Sequence, residues 1–454
     1  MSATPMKLAF RFGYGPSPLH PLPGSTEEVT ALLSQTDAST DAFPSLTFAR
    51  HWSDLRRYRQ IRKEARASDD PALQERLRQQ NRVRLAGYAD ALRARLARAA
   101  AAPMPLHQRL TAFWADHFTV NPSAHVFRPG VPGYIDEAIR PNILGPFATL
   151  LKSAALHPAM VISLDQHLSV GPNSQLGQRS NRGLNENLAR EVLELHTLGV
   201  GGSYTQSDVR QFAELLTGVS IDTEGFKFKR HFAEPGAELV LGKSYGGDSP
   251  NLRDVQAFLE DVAVHPDTAA HIARKLAVHF VSNSPDPQLV AHLRRTFLAT
   301  DGDLRKVTQA LILHPAAFRQ FGEKIRQPQD FVLAGIRALG IDPRALATLG
   351  RGALAEVLIS PLRAMRQPFD DPPGPDGWPE EESAWLTPQG LAGRINWAMT
   401  APRTLTDDLP DPREFVRTAS GDLAGSRTRF AASAAATRWE GIGVVLASPE
   451  FNRR

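Results

Sequence analysis

Gly183-Leu-Asn185-Glu186-Asn187-Leu-Ala-Arg190-Glu191-Val-Leu-Glu194-Leu-His196-Thr-Leu-Gly199 is the most informative run in the chain. At 100° per residue, Leu184, Leu188, Val192 and Leu195 share one face, which predicts an amphipathic helix over 185–198. Asn185 suits the N-cap and Gly199 the stop just beyond the last turn. Asn187, Glu191 and Glu194 lie within about 60° of one another on the opposite side, with Glu186 and Arg190 as an i,i+4 pair beside them. His196 points away from that ridge. The Gly/Asn-rich flanks (Gly171-Pro-Asn173, Asn181-Arg-Gly183-Leu-Asn185) suit close backbone approach. A buried helix of this kind would need its carboxylates paired, protonated or metal-bound.

Outward from this run the chain reads as mostly helical. Trp52–Ala102 is helix-forming with a break at Ser68-Asp69-Asp70-Pro71, so two helices are expected, the second starting at Pro71. Further helices are predicted at 105–119, 132–139, 144–155, 158–167 and 206–217. Beyond these come 252–263, 266–282, 286–299, 303–314, 327–340 and 353–358. Between them, Phe226-Lys-Phe-Lys alternates and Glu238-Leu-Val-Leu follows Pro235-Gly236, which predicts one β-hairpin over 226–246. Residues 360–385 form a Pro-rich loop, and Trp378, Trp385 and Trp397 predict that it is pinned to the body. The fold class is mainly α: a multi-helix, bundle-like body with a short hairpin and a long Pro/Trp-rich loop. Three regions are expected: an N-terminal arm and basic helical region (1–104), a central helical core (105–340), and C-terminal helices with the loop (341–454).

Composition sets the limits. The chain has 454 residues with 42% hydrophobic and 22% charged side chains, enough to build a sizeable core. No cysteine is present, which removes thiol nucleophiles, disulfides and Cys-type zinc sites. No apolar run approaches the ~20 residues that cross a bilayer, and no leader pattern precedes Arg11, so a cytoplasmic protein is expected. Lys and Arg exceed Asp and Glu by four. The surplus concentrates in 49–98, where acidic residues interrupt it, so a solvated helix face is expected there and nucleic acid is not an expected partner.

The histidines divide by position. His20, His157, His265 and His314 each precede a proline and are read as boundary residues. His117 shares an apolar stripe with Leu110 and Phe113, which leaves two readings open: a satisfied core histidine, or a ligand or general base. The enzyme reading gathers catalytic candidates Glu191, Glu194, Arg190 and Asp165, with His117, Glu186, Glu191 and Glu194 as ligands for a divalent metal ion (Mg, Mn, Fe or Zn). Asn185, Asn187, His231 and Trp378 are the substrate-binding candidates. No HExxH, P-loop, GxSxG or Rossmann glycine pattern appears. The alternative is a non-catalytic binding or scaffold protein, with the tryptophan loop as its contact surface.

Several stretches carry a family resemblance: Arg11-Phe-Gly-Tyr-Gly-Pro, Phe113-Trp-Ala-Asp-His117-Phe, Pro158-Ala-Met-Val-Ile-Ser-Leu-Asp165 and the polar run itself. Tyr204-Thr-Gln through Leu216-Thr-Gly218, Ala273-Arg-Lys-Leu, Pro375-Asp-Gly-Trp-Pro379 and Ser448-Pro-Glu-Phe451 extend it over nearly the whole chain. On these the chain resembles a bacterial family known as domain of unknown function 1800. The resemblance implies a largely helical protein, relatives that look exported, and a possible phosphatase/sulfatase-like partner from a neighbouring gene. It supplies no catalytic residues.

Overall fold

The computed structural model describes residues 4–120, 127–180 and 182–454. Helices dominate, and their starts follow the local chemistry. Asp70 accepts from the Ala72 N–H and Pro71 occupies the first turn of a 31-residue helix, Pro71–Ala101, about 46 Å long. Three of the His-Pro pairs work as caps. The Nδ1 atoms of His157, His265 and His314 accept the N–H groups of Ala159, Asp267 and Ala316, satisfying donors that a helix start leaves orphaned.

The β structure departs from the expected single hairpin. Val219–Ile221 (β1) pairs antiparallel with Phe226–Phe228 (β2), and Gly236–Val240 (β3) pairs with Lys243–Gly247 (β4). The alternating Phe226-Lys-Phe segment therefore pairs backwards along the chain, not with Glu238-Leu-Val. The second hairpin turns at Leu241 and Gly242, both at positive φ (50° and 76°), the conformation a two-residue hairpin loop requires. Leu241 is a poor advertisement for such a turn, which is why the sequence pattern placed it elsewhere.

The apolar side chains segregate into two cores. One is built from Leu8, Phe12 and most of the helices between Leu106 and Phe318. The other gathers Tyr14, Leu92 to Ala100 and the helices from Phe331 to Phe451. The Pro71–Ala101 helix belongs to both regions, packing its first half on the Phe48–Arg66 helix and its last turns into the second core. The opening segment, full of Pro and Gly, hides a buried helix, Pro5–Phe12. Among the described residues no helix is long and apolar enough to cross a membrane.

Charge joins the two cores. Arg11, Arg109, Arg326, Arg337, Arg394 and Arg454 are among the largest fully buried side chains. Several donate to carbonyls that helix ends leave without partners. Arg337 reaches the carbonyls of Ala99 (2.6 Å), Ala102 (2.8 Å) and Pro103 (3.0 Å) at the end of the long helix. Arg11 reaches Phe280 (3.0 Å) and Val281 (2.6 Å). At the seam itself, Asp330 of the second core pairs with Arg109 of the first and with Arg454 at 2.8 Å. Removing one member of a buried ion network leaves its partners charged and unpaired, at a cost of roughly 3–5 kcal/mol. Asp330→Ala is accordingly expected to lower stability by about that amount and to split urea unfolding into two transitions, read by circular dichroism and tryptophan fluorescence. A single unshifted transition would show that the seam is held elsewhere.

Candidate functional site

The polar run folds as an α-helix, Asn187–Glu191, that widens into a π-turn over Val192–His196. Thr197 Oγ1 donates to the Val192 carbonyl five residues back (2.7 Å). Asn185 supports the start, its Oδ1 accepting from the Asn187 N–H at 2.8 Å and its Nδ2 donating to the Leu164 carbonyl at 3.1 Å. The exposed side is an ion ladder. Arg190 lies between Glu186 and Glu194, 3.0 Å from each, and is 41% exposed. At that exposure such pairs contribute little, about 0–1 kcal/mol. Glu191 turns inward instead. Burial, with Glu194 and Asp376 nearby, pushes its carboxyl up to about 7.

The imidazoles behind this helix are caps. His117 Nε2 donates to the His196 carbonyl (3.1 Å) and His271 Nε2 to the Leu195 carbonyl (3.0 Å), satisfying the acceptors the π-turn strands at its end. Burial holds His117 neutral, its pKa well below the ordinary histidine value, and takes His196 down to about 3. Among the described residues no three His, Asp or Glu side chains converge as a metal-ligand set. With Glu186 and Glu194 taken by Arg190 and His117 serving a helix end, the expected donors do not fit a divalent cation held between them.

The remaining candidates scatter. Asp165 is exposed on a left-handed turn (φ 55°). His231 and Asn187 are exposed as well. Gly171 does allow close backbone approach, since a Cβ there would stand 2.7 Å from the Glu234 nitrogen, whereas a Cβ at Gly183 would meet nothing. Asn181 of the same flank lies outside the described residues. Trp378 is the one substrate-binding candidate that lines the main cavity.

That cavity, about 110 Å³, opens at the seam, with Val131 and Ile135 of one core facing Tyr14 and Leu333 of the other. Four carboxylates line it: Asp116, Asp136, Asp330 and Asp370. Three are held by arginines: Asp136 by Arg98 (2.8 Å) and Arg140 (2.9 Å), Asp370 by Arg95 (3.1 Å), Asp330 by Arg109 and Arg454. Asp116 has no cation within ion-pair distance among the described residues. Its Oδ1 accepts the Trp378 N–H at 2.9 Å. Burial pushes its carboxyl up to about 7, against the opposing pull of the Lys275 ammonium and that N–H. Gly377 is what lets the loop come so close. It sits at φ 84°, and a Cβ there would stand 2.6 Å from Asp116 Oδ1.

Behind Asp116 the polar groups continue without a break. Asp376 acts on Asp116, Lys275 and Glu191 alike. Glu380 accepts from His279 Nδ1 (2.5 Å) and pairs with Lys324 (2.7 Å), while His279 Nε2 meets Arg109 Nη2 at 3.3 Å. The tryptophan loop is the hub: the Trp378 N–H on Asp116 and Glu380 on His279 and Lys324 hold it to the body, and inside it Trp385 Nε1 donates to the Pro379 carbonyl (2.9 Å).

Asp116 and Lys275 were not nominated from the sequence, although both stand in stretches that carry the family resemblance. Their signal is convergence in space. Three such stretches, around Asp116, Lys275 and Asp376-Gly-Trp378, meet at one place. Residues 7–453 match a family model described as "Protein of unknown function (DUF1800)". No curated protein and no solved structure matches the chain.

A carboxyl with a raised folded-state pKa holds its proton more tightly when folded. The stability it adds is full below the unfolded pKa, near 4, and is lost as pH rises through about 7. Asp116→Asn removes that loss. Its stability advantage over the wild type is expected to grow by up to about 4 kcal/mol between pH 4 and pH 8, measured by urea denaturation at each pH. A gap that stays constant would place the carboxyl's pKa in the ordinary range.

Proposed function

The chain belongs to the DUF1800 family, whose description names no reaction, and on the geometry of its own cavity we propose a carboxyl-dependent enzyme with Asp116 as general acid–base. The observation that carries this reading is that Asp116 stands at the cavity wall unpaired while the other three lining carboxylates are neutralised by arginine. A carboxyl near 7 populates both protonation states at neutral pH, so it can give a proton and take one back. A perturbed acid in a cleft is the arrangement in which such chemistry is expected.

The reaction class best suited to one such acid is hydrolysis. Protonated Asp116 gives its proton to the leaving oxygen as the bond to the electrophilic carbon breaks. Water adds its oxygen to that carbon, and the proton it sheds restores Asp116. Trp378 N–H fixes the carboxyl's orientation, and the Lys275 ammonium keeps its pKa from rising further. Against the alternative, a scaffold that presents the tryptophan loop to a phosphatase/sulfatase-like partner, stands the burial of Trp385 and Trp397 in the protein's own body.

A panel of chromogenic glycosides and esters tests the proposal. At least one is expected to be hydrolysed, with turnover falling as pH rises past about 7 and Asp116→Asn slower by roughly 10²–10⁴-fold. Hydrolysis that Asp116→Asn leaves unchanged would contradict it.

A further inference from the structure

Resting on the reading of this cavity as the active site, we propose that its ligand is a neutral, hydroxyl-rich ring of monosaccharide or cyclitol size. Charge on the wall selects the ligand's class. Every arginine on the wall already has a carboxylate: Arg95 with Asp370, and Arg98 and Arg140 with Asp136, Arg140 also reaching Asp37 at 3.1 Å. Among the described residues no cation on the wall is left over for a phosphate or carboxylate ligand. Equally, among the described residues an ammonium ligand would find Asp116 as the one unpaired carboxylate of the wall, and burial holds that group partly protonated at neutral pH. Bringing an uncompensated charge into such a place costs far more than bringing hydroxyls, which exchange water hydrogen bonds for protein ones.

Polar groups on the wall are left unused. Tyr14 is 4% exposed and lines the cavity, and its hydroxyl makes no hydrogen bond among the described residues. Burial keeps that phenol protonated, well above its ordinary range, so it is a standing donor and acceptor. Asp116 Oδ1 takes the Trp378 N–H, leaving Oδ2 for the ligand. Trp378 and Phe369 add aromatic wall to these polar groups, a combination that fits a molecule with both C–H and O–H faces. Size points the same way. A cavity of about 110 Å³ that opens at the seam is on the scale of the roughly 150 Å³ that holds one benzene, room for about one six-membered ring.

Ring-matched ligands test this directly. Isothermal titration calorimetry on the whole protein at pH 7 would compare D-glucose, D-mannose and myo-inositol with D-glucuronate, glucose 6-phosphate and D-glucosamine. At least one neutral ring is expected to bind one-to-one, about tenfold or more tighter than its charged counterparts. Tyr14→Phe, which keeps the ring and removes the hydroxyl, is expected to weaken it about tenfold. Tighter binding of a charged ring, or no binding of any neutral ring at millimolar concentration, would overturn the proposal. Turnover of a charged ring that depends on Asp116 would overturn the ligand class alone. Neutral-ring binding with turnover indifferent to Asp116→Asn would instead sink the acid–base reading and leave the ligand class standing.

Discussion

Asp330 brings a carboxylate to the boundary between two apolar cores, where Arg109 from one side and Arg454 from the other hold it. Neither guanidinium has appreciable exposure, so the pairing is compulsory: separate the cores and Arg109 loses its carboxylate while Asp330 keeps only Arg454. Much else follows from that constraint. Arg109 also meets His279, His279 donates to Glu380, and Glu380 pairs with Lys324. The tryptophan loop that carries Glu380 is thereby fixed over the Leu106–His117 helix, which puts the Trp378 N–H on Asp116.

The abundance of arginine over lysine looks in the sequence like a bias of composition. In the fold part of it has a physical use. Arg11 and Arg337 cap helix ends from distant segments, and a planar guanidinium can serve several carbonyls at once where an ammonium would serve fewer in fixed directions. The outer arginines of the basic stretch, such as Arg50 and Arg78, do lie on a solvated face. Arg95 and Arg98 on the same helical run turn inward and line the cavity.

What was legible in the sequence was local. The start at Pro71, the His-Pro boundaries, the amphipathic helices and the pinned loop all follow from neighbours within a few residues. The hairpin pairing was not legible, because the turn uses Leu241 in a conformation leucine rarely adopts. The polar run was read on a uniform helical wheel, but its π-turn breaks that phase after Glu191, and its outer charges form a solvated ladder. Of its carboxylates, Glu191 turns toward the buried polar cluster. His279 showed no carboxylate at helical spacing, since its partner Glu380 lies 101 residues away. Asp116 was hidden for the same reason: its environment is made by Gly377, Trp378 and Lys275, none of them near it in the chain.

The fold holds the Asp116 carboxyl poised near neutrality at the wall of an open cavity. Carbon-13 NMR titration of aspartate side-chain carboxyls, with Asp116→Asn to assign the resonance, measures that property without any substrate. The expected midpoint for Asp116 is about 7, with Asp136, held by Arg98 and Arg140, titrating far lower, at about 2. A midpoint for Asp116 near 4, the value of a solvated aspartate, would leave the cavity without its acid.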